Sequence, residues 1–139
     1  MKTILYRLFG FGKIPEDLRN QLETEGLLML DEGIRSSITY RNFSAPGKRC
    51  HWKRKWFTGS IALTKTRLTA LWRSKPIINI PLTDERIGKL RFEQEKNGAL
   101  LIVHDAALFH QDWSGTIEYR FRVEQAQTFL DMLRQRIRK

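Results

Sequence analysis

From Leu27 to Val123 the apolar residues of this chain recur at about every second position, and on either side of that stretch the repeat is that of a helix. Periods of 2 and 3.6 bury different faces, so a long strand-like run between two short helical ones leaves few folds open. The first helical run begins at Ile14-Pro15-Glu16-Asp17, with proline and then two carboxylates where the helix dipole favours negative charge, and Gly26 ends it. The last runs through Ala126, Phe129, Leu130, Leu133 and Ile137, a single apolar stripe, with Arg134, Arg136, Arg138 and Lys139 at its C-terminal end.

Between them the strands can be read in turn. Ile34, Ser36, Ile38 and Tyr40 share one face, and Arg35, Ser37, Thr39 and Arg41 the other. Phe43-Ser44-Ala45-Pro46-Gly47 has turn chemistry, and the next strand runs from Lys48 to Thr64 with Gly59 as a bulge or bend. Lys65-Thr66 reverses the chain into Arg67–Trp72. A fourth strand carries Ile77, Ile78, Ile80 and Leu82, with Pro81 marking an edge or an end. Arg86 to Glu95 reads as a fifth, with Leu90 and Phe92 inward. Asn97-Gly98, two residues tolerant of positive φ, turns it into Ala99–His104, apolar enough for a central strand. Gly115 to Val123 alternates once more. Hairpin loops this short exclude parallel crossovers. The expected fold is mainly β with added helix (α+β): about seven antiparallel strands in a bent sheet or partly open barrel, capped by a C-terminal amphipathic helix.

A chain of 139 residues is the usual size of one domain with one core. Residues 1–25 read as an N-terminal segment whose short helix packs on a domain formed by residues 26–139. A single cysteine, Cys50, excludes an internal disulfide. The segment from Met1 to Phe11 has neither an uninterrupted apolar stretch nor a small-residue cleavage site, so a soluble cytoplasmic protein is expected. Leu5, Leu8, Phe9 and Phe11 make that segment the candidate for peripheral membrane contact.

Charge is distributed very unevenly. No acidic residue lies between Glu32 and Asp84, and 11 of the 25 basic residues fall in that gap. The remaining 14 basic residues nearly balance the 15 acidic ones, so the whole formal charge of +10 comes from one contiguous third. Charge of one sign packed in this way points to an anionic partner.

The order of elements resembles the pleckstrin-homology superfold, and two local sequences carry the likeness. Trp52-Lys53-Arg54-Lys55-Trp56-Phe57 is similar to the second-strand pattern of eukaryotic pleckstrin-homology domains. Gly59-Ser60-Ile61-Ala62-Leu63-Thr64-Lys65-Thr66-Arg67-Leu68 is similar to the strand-turn-strand of GRAM-type and bacterial relatives. The eukaryotic domain places a tryptophan in its closing helix where this chain has none, leaving Phe129 or Leu133 to fill that place. The resemblance is therefore closer to a GRAM-like or bacterial member of the family. It implies a ligand site at the open end between the first two strands, made here by Arg41, Lys48, Arg49, Lys53 and Lys55. Physical chemistry points the same way, because several cations meeting at one mouth focus potential on a phosphate that arginine can grip with two hydrogen bonds. A solvated basic face that protects an edge strand is the simpler alternative.

Catalysis has little support. His51, His104 and His110 lack metal-ligand spacing, and neighbours such as His104 and Asp105 point to opposite faces of a strand. Cys50 lies among cations that favour a thiolate, against the plainer reading of a strand cysteine. No enzyme activity, metal or cofactor is expected. Three binding readings stand: an anionic phospholipid headgroup at the membrane; a protein partner taken by a strand edge or helix groove; and single-stranded nucleic acid stacking on Trp52, Trp56 or Phe57. The alternation of Trp52 and Trp56 with charged residues predicts that at least one of these tryptophans packs in the core.

Overall fold

The computed structural model describes residues 13–137. Helix α1 (Glu16–Thr24) follows Pro15 and ends at Gly26, whose φ of +85° is a conformation that glycine adopts without strain. Its buried Leu22 joins Ile14, Ala62 and Leu71 in a small cluster on the outer face of the sheet. Glu32 anchors the segment: it is buried and accepts hydrogen bonds from the Ile14 backbone N–H at 2.8 Å and from the Arg19 guanidinium at 2.7 Å.

Seven strands follow: β1 (Leu27–Ala45), β2 (Lys48–Thr64), β3 (Arg67–Trp72), β4 (Lys75–Pro81), β5 (Arg91–Gln94), β6 (Leu100–Asp105) and β7 (Ser114–Phe121). They form one antiparallel sheet in the order β4-β3-β2-β1-β7-β6-β5. The strand β1 is its hub, pairing with β2 on one side and β7 on the other. Residues of β4 and of β6 lie in the same buried cluster although their strands are five places apart in the sheet, so the sheet must curl into a half-barrel around them. Part of the curl comes from a bulge in β1. Asp31 pairs with Ile61 and Ile34 with Gly59, so Glu32 and Gly33 together oppose Ser60, and Gly33 takes a φ of +70°. Helix α2 (Ala126–Ile137) closes the half-barrel with Ala126, Phe129, Leu130 and Leu133 fully buried. Phe129 and Leu133 thus lie on the buried side of the single apolar stripe that the helical repeat predicts.

The structure agrees with the antiparallel strand count, the two helices, the edge position of Pro81 and the turn at Asn97-Gly98, where Gly98 has a φ of +88°. It differs in three places. The chain from Glu85 to Lys89 is a 3-10 turn, so the fifth strand is only Arg91–Gln94. Asp84 causes this by accepting the Arg86 N–H at 2.9 Å while clasping its guanidinium, a local cap that competes with strand pairing. The first hairpin turn narrows to Pro46-Gly47, since β1 continues through Ala45. Neither Trp52 nor Trp56 is in the core: they are 52% and 56% exposed. Phe57 takes the inner position instead, paired with Ser36 and stacked on Trp72 at 4.5 Å between centroids.

Leu5, Leu8, Phe9 and Phe11 lie outside the described residues. No helix among the described residues is long and apolar enough to cross a membrane.

Candidate functional site

The two-residue loop at Pro46-Gly47 fixes the register of the first hairpin: Ala45 faces Lys48, Ser44 faces Arg49, Phe43 faces Cys50, Arg41 faces Trp52, Tyr40 faces Lys53 and Ile38 faces Lys55. Directly paired residues share a face, so Lys53 and Lys55 stand on the face of Tyr40 and Ile38, above the open end of the core. The result is a cleft of about 340 Å³ lined by Tyr40, Phe43, Lys48, Arg49, Lys53 and Lys55, with Ala45, Gly47, Cys50 and Trp113 completing it.

Four of the five basic residues expected at the site are therefore brought together. Arg41 is not. It shares the outer face with Trp52, where its Nε lies 2.6 Å from Glu118 Oε2, and Glu118 also pairs with Arg120 at 3.0 Å. Burial pushes the Glu118 carboxyl up, but the Arg41 and Arg120 guanidinium groups outweigh it and hold it below its ordinary value. The expectation that the turn would carry Arg41 towards Lys48 fails on register: a two-residue loop places Lys48 opposite Ala45, and Arg41 four positions further back.

The cleft is electrostatically uncompensated. No carboxylate lines it, and Lys48, Arg49, Lys53 and Lys55 form no ion pair with any described residue. Lys55 Nζ lies 6.0 Å from the Tyr40 ring centroid, the outer limit of a cation–π contact. Burial, and after it the Cys50 thiol, pushes the Tyr40 phenol up, so it stays protonated at neutral pH. A neutral phenol can donate to an anion beside the four cations. The aromatic wall is continuous: Phe43 packs on Tyr40 at 4.8 Å and edge-on against Trp113 at 5.3 Å. Sequence reasoning did not place Tyr40 and Trp113 at this site. Tyr40 carries a signal, since it continues the inward alternation of Ile34 and Ile38, but Trp113 precedes β7 and no local pattern marks it.

The opposite face of the hairpin carries a cation–aromatic ladder. The Arg35 guanidinium sits 4.6 Å from the Trp56 ring centroid and that of Arg54 5.4 Å from Trp52, while Arg54 Nε donates to Thr39 Oγ1 at 2.8 Å.

None of the three histidines lines the cleft formed by the described residues. No three of their His, Cys, Asp or Glu side chains are grouped to hold a metal. His110 stacks on Trp113 at 3.6 Å. His104 is buried, its Nδ1 2.7 Å from the Asp105 carbonyl oxygen, and its Nε2 has no partner among the described residues. Nδ1 therefore carries the proton and donates it, leaving Nε2 unprotonated in an apolar setting. Burial lowers the His104 pKa; the Asp105 carbonyl and charge oppose this without reversing it, and His110 adds to the lowering. With the folded value below the ordinary one of about 6.5, His104 is neutral at neutral pH, and its contribution is complete above the ordinary value and lost as pH falls from there through the lowered folded value. His104→Gln should accordingly flatten the loss of urea stability between about pH 7.5 and pH 5. Parallel slopes for the two proteins would contradict this assignment.

No protein-family model matches the chain, and no curated protein matches it.

Proposed function

We propose that this protein is a non-enzymatic binding module whose first-hairpin cleft holds a phosphate-bearing anion, a phospholipid headgroup at the membrane surface being the ligand of that class it suits best. The observation that carries this reading is the convergence of Lys48, Arg49, Lys53 and Lys55 on one carboxylate-free cleft of about 340 Å³. Like charges brought this close repel each other, and an anion relieves that repulsion while focusing the local potential. The volume lies in the lower part of the range for small-ligand sites and suits one phosphorylated headgroup. The strand order and closing helix support a pleckstrin-homology-like reading, in which a ligand at the mouth of the first hairpin is expected. Nucleic acid is less well served by the cleft, because its one tryptophan, Trp113, is already occupied by Phe43 and His110.

The test is sedimentation with liposomes of neutral lipid, with and without an anionic phosphorylated lipid. Binding should need the anionic lipid and weaken about tenfold or more in the Lys53→Glu, Lys55→Glu double variant, since two attractive contacts become repulsive. Binding that ignores both the lipid charge and the double substitution would reject the reading.

A further inference from the structure

The strand β2 is paired along its whole length with β1 but with β3 only from Gly59 to Leu63. Among the described residues, 48–57 therefore have a strand neighbour on one side alone. Beyond the Arg73 N–H to Thr58 carbonyl bond of 2.9 Å, where β3 gives out, no described residue meets their outward-facing main-chain groups with a backbone hydrogen bond. An edge of this kind is a template for another strand.

Two features of the same segment suggest that this edge is used and not merely tolerated. Trp52 and Trp56 are the exposed large hydrophobic side chains of the described structure, and both lie on it. An edge protected only against aggregation needs the lysines, not the tryptophans. The segment also carries Lys48, Arg49, Lys53, Arg54 and Lys55 and no carboxylate, so a second copy of this edge would bring five cations against five.

We propose that the free edge of β2 takes an extended acidic peptide of a partner protein as an additional strand. Main-chain hydrogen bonds supply the attachment and alternate side chains the selectivity. On the outer face Trp52 and Trp56 stand about 13 Å apart, four strand residues, and favour apolar residues opposite them. On the inner face Lys53 and Lys55 favour carboxylates. Arg54, between the tryptophans, is already engaged by Thr39 and Trp52 and makes little demand on its opposite number. The preferred segment thus reads apolar, acidic, any, acidic, apolar. That pattern is its own reverse, so it serves a parallel or an antiparallel strand. Single-stranded nucleic acid would satisfy the rings and the charge but has no use for the main-chain edge.

The proposal is separate from the headgroup reading although Lys53 and Lys55 serve both, and the tryptophans tell the two apart. The probe is a blocked nine-residue peptide whose central five residues are valine, glutamate, threonine, glutamate and valine, followed by tryptophan fluorescence. Trp52→Ala and Trp56→Ala should each weaken peptide binding roughly tenfold while leaving sedimentation with anionic liposomes unchanged. N-methylation of peptide amides of one parity should abolish binding and of the other parity should be tolerated, because only alternate amides face the protein. Equal binding of a scrambled peptide of the same composition, indifference to the parity of methylation, or preferential binding of an oligothymidylate would overturn the proposal.

Discussion

Phe129→Ala is expected to lower the unfolding free energy by about 3–5 kcal/mol, a large share of what holds a domain of this size together. Phe129 is one of the two largest fully buried side chains and sits at the centre of the apolar stripe of α2, between Ala126 and Leu133. Its ring lies in the same buried cluster as Phe121 and Leu100, against which α2 closes the half-barrel. Removing the ring therefore leaves a cavity beneath the helix that neighbouring strands, held by their ladders, can only partly fill. Beyond Phe129 the helix is held by buried Leu133, by partly buried Ile137 and by Arg134, which donates to the Phe92 carbonyl at 3.1 Å. Since such a domain is typically stable by only about 5–15 kcal/mol, the variant sits near the limit of folding. Phe129→Leu, which keeps most of the volume, should recover the greater part of the loss. Urea denaturation reads both; a cost below about 1 kcal/mol for the alanine variant would show that α2 does not close this core.

Gly115→Ala should cost about 2–4 kcal/mol, from backbone strain and collision together. Gly115 has a φ of +103°, and a methyl group there would lie 2.5 Å from the Asn42 carbonyl oxygen and 2.7 Å from that of Arg41, both main-chain atoms that cannot rotate away. The crowding has a structural cause. Against β7, Arg41 pairs with Thr116 and Ser44 with Ser114, so Asn42 and Phe43 together oppose Gly115 and form a second bulge in β1, with Asn42 at a φ of +48°. That bulge allows Phe43 to be buried beside Tyr40 and Trp113 in the cleft wall, though simple alternation would put it on the face of Arg41. Gly98→Ala is the control: its φ is similar at +88° but nothing lies within 4 Å, so it should cost only about 1–2 kcal/mol. Equal losses at the two glycines would mean that the bulge is not tightly packed. A larger loss at Gly115 should be accompanied by weakened liposome binding, because the same bulge shapes the cleft.

The strands are legible in the sequence because their signal is local. Ile117, Tyr119 and Phe121 alternate with polar neighbours, and burying one face of a pleated strand needs no knowledge of its partner. Asn97-Gly98 is legible for a similar reason, since the turn depends on the φ tolerance of two adjacent residues. Trp52 and Trp56 mislead because alternation assigns residues to two faces without saying which face is inside, and hydrophobicity favours the wrong choice. The other side of β2 contains Phe57, whose pairing with Ser36 decides the matter. The helical turn at Glu85–Lys89 escapes because one side-chain cap at Asp84 overrides a plausible strand pattern.

The sequence by itself determined that a seven-strand antiparallel sheet would be closed by an amphipathic helix, and that the excess positive charge would ride on its first four strands. Only the tertiary structure decided which of those charges remain uncompensated. Glu118 lies 77 residues from Arg41, and Glu25 lies 42 residues from Arg67, yet each forms an ion pair with that arginine because β1 packs beside β7 and α1 beside the β2-β3 turn. Lys48, Arg49, Lys53 and Lys55 line a cleft that no described acidic residue reaches, and no described strand pairs with the edge of β2 beside them because β3 is shorter than the hairpin it joins. Local periodicity records which face a residue shares; it cannot record which distant strand, or none, comes to lie against it.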